Sequence, residues 1–244
     1  MGIPRRAKRR AAAINAPSPR RRAVWVATGL ALAMAWGAGR AEDGQPADPP
    51  GARALFDGKS LEGWEKTGFS HPGEVTVEDG TIVMAAGRPM TGITRTRRDL
   101  PATDYELSYE AMRLSGSDFF AAATFPVGKA HVTLVNGGWG GSVTGLSSLD
   151  GADASENETS RSVKYANRTW YRFRIRVTDA AIRCRVDDKE VVAIDHRGRK
   201  LATRIEVRAN QPLGFAAWES GGAVRKVEVR RLTPAEVAAA GKFD

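Results

Sequence analysis

From Leu55 to near the end of the chain, apolar residues recur at every second position, and this period constrains the fold more than any other feature. "WYRFRIRV" (170–177) places Tyr171, Phe173, Ile175 and Val177 on one side and arginines on the other. Such alternation belongs to a strand with one buried face. "YELSYEAMRL" (105–114) repeats it with Tyr105, Leu107, Tyr109 and Ala111 inward. Turn residues sit between the runs. Asp79-Gly80 divides "EVTVEDGTIVMA", Gly128-Lys129 separates "FFAAATFPV" from "HVTLV", and Asp187-Asp188-Lys189 interrupts "AIRCRVDDKEVVAI", which predicts three hairpins. "RIEVR", "LGFAAW" and "VRKVEVRRL" supply the last strands. The total is about eleven or twelve short strands, the pattern of a two-sheet antiparallel sandwich. The tail breaks the period. Thr233-Pro234-Ala235-Glu236 is a capping-box sequence with proline at the first helical position, so a short helix follows. The expected architecture is all-β: one jelly-roll sandwich over 54–232, then a short C-terminal helix and tail over 233–244.

The formal charge of +9 points to an acidic partner, but it comes from one end. Residues 1–41 hold nine Lys/Arg and no acid, and removing them from 37 basic residues leaves 28 against 28 acidic ones. A nucleic-acid partner needs a basic folded surface, and this balance argues against one. The segment itself reads as an export signal. A basic region ends at Arg20-Arg21-Arg22, "AVWVATGLALAMAW" follows, and Gly39-Arg40-Ala41 offers a small-residue cleavage site. The apolar run falls short of the ~18 residues of a spanning helix. Cleavage is therefore favoured over retention as an anchor, with delivery to the periplasm or beyond. "EDGQPADPPGAR" (42–53) reads as a flexible linker.

Simple catalytic templates fail. His71, His131 and His196 lack the spacing of a zinc site, and no nucleophile elbow or phosphate loop is present. His71 and His196 sit in turns, whereas His131 opens a strand and stays a candidate acid/base. Cys184, the single cysteine, alternates with Ile182 and Val186 and reads as a buried thiol. A retaining glycosidase carries a carboxylate pair ~5.5 Å apart. Here the matching window, Ser148-Leu149-Asp150-Gly151-Ala152-Asp153, begins with serine.

What remains is "NGGWGGSVTGLSSLDGADASENE" (136–158), rich in glycine and acid around Trp139. Sugars stack their apolar faces on aromatic rings while amides and acids hold the hydroxyls. Trp139, Trp218, Asn136 and Asn157 are the candidate sugar contacts. Trp64 and Trp170 read as core. Three readings of the acidic stretch stay open: a solvated loop, the rim of a sugar site, or a site for Ca²⁺ or another divalent metal. The metal reading takes oxygens from Asp150, Asp153 and Asn157, without EF-hand spacing.

Leu55-Phe56-Asp57-Gly58-Lys59-Ser60-Leu61-Glu62-Gly63-Trp64 resembles the opening signature of the secreted bacterial 3-keto-disaccharide hydrolase domain family. Val77-Glu78-Asp79-Gly80, Trp170-Tyr171, Gln211-Pro212-Leu213-Gly214 and Val227-Glu228-Val229-Arg230 fall where its other signatures do, so the resemblance covers about 55–232. It implies a concanavalin A-like jelly roll and hydrolysis or 1,2-elimination of glycosides bearing a 3-keto group. The ketone acidifies H-2, so a base can remove that proton while an acid helps the aglycone leave. One departure stands out. The family commonly follows its late Gly-Leu with Gln and then His, but this chain reads Gly214-Phe215-Ala216-Ala217-Trp218-Glu219. Glu219, Glu156, Asp150 and His131 are left as the acid/base candidates. The alternative function is a non-catalytic glycan-binding module of lectin or laminin-G-like type.

Overall fold

The structure is a computed structural model that describes residues 51–243. The expected export segment and most of the linker lie outside the described residues. Fifteen strands form two antiparallel sheets. The first sheet contains β1 (Arg53–Ala54), β3 (Val75–Glu78), β4 (Thr81–Met84), β6 (Tyr105–Ser115), β11 (Trp170–Val177), β12 (Ala181–Val186), β13 (Lys189–Asp195) and β15 (Gly221–Arg231). Its order is β13-β12-β11-β6-β15-β4-β3, with β1 added to β15. The second contains β2 (Trp64–Lys66), β5 (Met90–Arg95), β7 (Ala122–Val127), β8 (Ala130–Gly138), β9 (Val143–Ser147), β10 (Arg161–Ser162) and β14 (Gly214–Trp218). Its order is β10-β9-β8-β7-β14-β5-β2.

The hairpins form where the turn residues put them. Asp79 and Gly80 both take positive φ, 46° and 74°, as do Asp187 and Asp188 at 47° and 67°. Two such residues in a row match the twist of the strands they join. The alternating apolar side chains meet between the sheets. Tyr109 stacks on Phe173 of the neighbouring strand at 4.9 Å and meets Phe215 of the other sheet edge-on at 4.8 Å. Cys184 is fully buried in the same core, and burial pushes its thiol up, as for an inert structural cysteine.

The "LFDGKSLEGW" signature has a structural role. Leu55, Phe56 and Trp64 are buried, and the Trp64 indole donates to the Leu55 carbonyl at 2.8 Å. Arg95 donates to the same carbonyl at 2.9 Å and lies over the Trp64 ring. Asp57 accepts from the Lys59 and Ser60 amides, both at 2.8 Å, which shapes the turn between the two apolar ends. Trp64 is thus core, whereas Trp170 is half-buried beneath Arg225, 3.9 Å from its ring centre. At the tail, α1 (Pro234–Ala240) carries the expected capping box between Thr233 and Glu236.

One expected strand is absent. "RIEVR" folds into a 3₁₀ segment, Ile205–Asn210. Alternation of Ile205 and Val207 suggests a half-buried strand, but only Val207 packs, against Met90 and Ala216, while Ile205 is 74% exposed. Asn210 fixes the segment over the second sheet. Its amide donates to Thr67 Oγ1 at 3.0 Å and to the Ile93 carbonyl at 3.2 Å. A long-range amide clamp has replaced ladder pairing. Among the described residues, no helix is long and apolar enough to cross a membrane.

Candidate functional site

The outer face of the second sheet carries a pocket of about 250 Å³. Its floor is Ala122 of β7, Thr133 and Val135 of β8, and Ser147 of β9. Period two puts these residues on one side of adjacent strands, opposite the core-facing Val132, Leu134 and Leu146. Thr133 Oγ1 lies 2.9 Å from Thr124 Oγ1, a side-chain pair across β7 and β8. The walls come from four loops and strand ends: Asp118 and Phe119 before β7, Trp139 after β8, Arg204, Glu206 and Val207 of the crossing segment, and Trp218 closing β14.

Three aromatic rings therefore surround a partly polar floor. Phe119 and Trp218 are held together by a backbone bond, Trp218 N–H to Phe119 O at 2.9 Å, with ring centres 6.1 Å apart. Trp139 keeps a positive φ of 50° and is 44% exposed, with its ring available to the pocket. Asp118 holds that loop in place: its carboxylate accepts from Phe119 N at 2.7 Å and from Gly140 N at 3.0 Å. Gly141 explains part of the glycine run, since a Cβ there would stand 2.6 Å from the Ser117 carbonyl. The close approach is to the protein's own β6–β7 loop. Arg204 is gripped from two sides, by Asp153 and by Glu206, which accepts at 2.9 and 3.2 Å. Hydrogen bonding from Arg204 holds the Glu206 carboxyl below its usual range.

The structure gathers only part of the residues singled out in the sequence. Trp139 and Trp218 line the pocket together. Glu219, Glu156, Asp150 and His131 are not among its lining residues. Glu219 is exposed just beyond Trp218, and its amide donates to the Pro89 carbonyl at 2.7 Å. Glu156 is exposed and reaches back to the Asp153 amide at 3.4 Å. Asp150 accepts from Lys200 N at 2.7 Å and from Arg199 at 2.5 Å, contacts that lower its pKa. His131 is half-buried on β8, with its pKa lowered by burial and then by Arg98.

The candidate amides face inward. Asn136 is fully buried, and neither its Nδ2 nor its Oδ1 has a partner. Asn157 is buried too, donating to the carbonyls of Leu146 (2.8 Å), Asp153 (2.7 Å) and Ala152 (3.2 Å) while accepting from Thr159. It pins the acidic loop to β9 and has no free group for a sugar. The metal reading meets a similar obstacle. Asp150 is engaged by Arg199, Asp153 by Arg204, Ser147 and Ser148, and Asn157 by backbone. Among the described residues, no three of His, Cys, Asp and Glu come together as a metal-holding group. Asp118, Phe119, Arg204, Glu206 and Val207 escaped sequence reasoning. The last three were hidden by an alternation that mimics a strand.

The fold is an antiparallel β-sandwich, and the family match makes it a carbohydrate-related domain. Residues 51–230 match the 3-keto-alpha-glucoside-1,2-lyase-like domain family, and the chain belongs to that family. No curated protein matches the sequence. Among solved structures, a sialidase aligns with a TM-score of 0.50 at 11% identity, over 77% of this chain and 19% of that one. Domain 4 of AbnA, an extracellular arabinanase from Geobacillus stearothermophilus, solved with arabinotriose, aligns with a TM-score of 0.49 at 15% identity, over 79% and 97%. The carbohydrate-binding module CBM66 from Bacillus subtilis follows at 0.46 and 10%, over 69% and 95%. At such identities the likeness concerns the fold.

Proposed function

We propose that the pocket takes one sugar ring of a 3-keto-glycoside and that the protein eliminates or hydrolyses its aglycone. The observation that carries this reading is the ring of Phe119, Trp139 and Trp218 around a floor bearing hydroxyls, with Arg204 and Glu206 in the same wall. At about 250 Å³ the pocket lies just below the ~300–1,000 Å³ of drug-sized ligand sites, which suits a single ring better than a long chain. Family membership supports the 3-keto substrate class.

The chemistry assigns roles by charge. Glu206 is ionised at neutral pH and can accept H-2. It is a weak base, and the adjacent ketone compensates by acidifying that proton. Electrons from the C2–H bond move toward the carbonyl oxygen, and Arg204 would stabilise the resulting oxyanion. Collapse forms the C1–C2 double bond, breaks the bond to the aglycone oxygen, and that oxygen takes a proton from water. A second reading, a glycan-binding module without turnover, is favoured by one observation: Arg204 already engages both oxygens of Glu206. The basic and apolar segment at 1–41 supports an exported location for either.

The experiment is incubation with an aryl 3-keto-glucoside or 3-keto-trehalose, following aglycone or glucose release. The lyase or hydrolase reading expects release, with Glu206→Gln lowering kcat by about a hundredfold or more while binding persists. Binding without release supports the module. Release undiminished in both Glu206→Gln and Arg204→Met would refute the assigned roles.

A further inference from the structure

The outer face of the first sheet carries charge in rows set by strand register. Arg174 of β11 stands directly opposite Arg185 of β12, and Arg176 stands opposite Arg183. These arginines form a square across two adjacent strands. Like charges placed directly opposite each other destabilise a sheet unless counter-charge surrounds them. Here it does so incompletely. Asp188 pairs with Arg172 and Arg174, and Glu106 with Arg176 (2.5 Å) and Arg230 (3.0 Å). Glu190 pairs with Arg183 (2.9 Å) and Arg185 (3.9 Å), and Glu236 with Arg176 (3.4 Å) and Arg230 (2.7 Å). Among these described groups six arginines share four carboxylates, an excess of two positive charges.

Within the square, Arg185 is the most open member. Arg185 has a side chain 47% exposed, with its nearest carboxylate at 3.9 Å. A recess of about 30 Å³ opens among Arg174, Arg176, Arg183 and Arg185, with Glu106 in its wall. One water needs ~10–15 Å³, so the recess admits a single small group. Glu106 is 3% exposed and is engaged by Arg176 and Arg230, so its charge is already answered.

We propose that this square is an oxyanion site that binds a sulfate or phosphate group, either free or esterified on a polymer. Guanidinium groups present paired N–H donors that match such oxygens better than an ammonium does. All four arginines come from one strand pair in continuous register; Arg183 already donates to Glu190 and to the carbonyls of Ala240 (2.8 Å) and Lys242 and so forms the wall, and the donors fall to Arg174, Arg176 and Arg185. The site is on the outer face of the sheet that does not carry the aromatic pocket, and it stands independently of the function proposed for that pocket.

The test is thermal unfolding of the full chain at constant ionic strength, with chloride exchanged for sulfate or inorganic phosphate. A second arm measures the binding of dextran sulfate against uncharged dextran. A ligand that binds the native state raises the unfolding midpoint, so a rise in the first arm, abolished by Arg174→Ser/Arg185→Ser, is the expected result for the free ion. Weakening of dextran sulfate binding by about tenfold in that variant, the scale of two lost ionic contacts, is the result for the ester. The basic N-terminal segment is common to both proteins and cancels in the comparison. Should the double variant fail to fold, the exposed Arg185→Ala decides on the same readouts. Equal responses in wild type and variant, or no response in either arm, would overturn the proposal.

Discussion

From Arg172 to Val177 on β11 of the first sheet, half-buried and buried residues alternate, as a strand with one wet face requires. On β5 and β7 of the second sheet, every residue is buried. Both sheets face the same core, so the contrast lies on the outer surfaces. The first sheet meets solvent through rows of arginine set by strand register and answered by carboxylates of β6, β13, the β12–β13 turn and α1. The second is crossed by the 3₁₀ segment, which Asn210 anchors, and the uncovered part becomes a pocket walled by aromatic rings. One outer face carries charge laid out along paired strands, whereas the other, crossed by the 3₁₀ segment, carries a pocket.

Substitutions can sharpen or break that contrast. The largest effect is expected at Trp218. Trp218→Ala should weaken sugar binding by about 3 kcal/mol, on the order of a hundredfold, as measured by calorimetric titration. Arg174→Ser/Arg185→Ser should leave that affinity unchanged. A loss from the arginine variant would mean that the two faces do not act separately. Next comes the anchor. Asn210→Ala should lower stability in urea by about 2 kcal/mol, because buried acceptors lose their donor. If stability and the pocket both survive, the crossing segment is held by something other than its amide clamp.

A smaller effect concerns pH. Hydrogen bonding from Arg230 holds Glu236 at about 2, below its usual 4.5. The folded pKa is depressed, so the stability it contributes is present above about pH 4.5 and is lost as pH falls toward 2. Glu236→Gln should therefore be less stable than wild type at pH 7 and converge on it as pH falls through about 2. A stability gap that does not narrow between pH 4.5 and 2 would assign the loss to packing or to the cap. The smallest effect is expected at Arg185. Arg185→Ala, on an exposed side chain, should change stability by no more than about 0.5 kcal/mol.

Much of the fold was legible because its information is local. The Asp79-Gly80 and Asp187-Asp188 turns, the alternation of "WYRFRIRV" and the Thr233–Glu236 box each act within a few residues. The "LFDGKSLEGW" motif was legible as a signature, yet it acts as a structural closure through Trp64 and Asp57 and lies outside the pocket. The site was legible only at Trp139 and Trp218, where aromatic residues stand in polar or glycine-rich surroundings. The conspicuous acids of 150–158 stand out by density, but Arg199, Arg204 and the Lys200 amide, from a distant segment, engage Asp150, Asp153 and Glu158. Arg204 and Glu206 gained their place through a 3₁₀ turn whose apolar spacing imitates a strand. No local pattern records that Asn210 reaches Thr67 and Ile93.

Binding of a sugar ring against the aromatic wall of the second sheet can be read by titrating intrinsic tryptophan fluorescence with a 3-keto-glucoside in wild type, Trp218→Ala and Arg174→Ser/Arg185→Ser. A saturable change is expected in wild type and in the arginine variant, lost or shifted about a hundredfold in Trp218→Ala. An unchanged midpoint in Trp218→Ala, or no saturable change in wild type, would contradict binding at that wall.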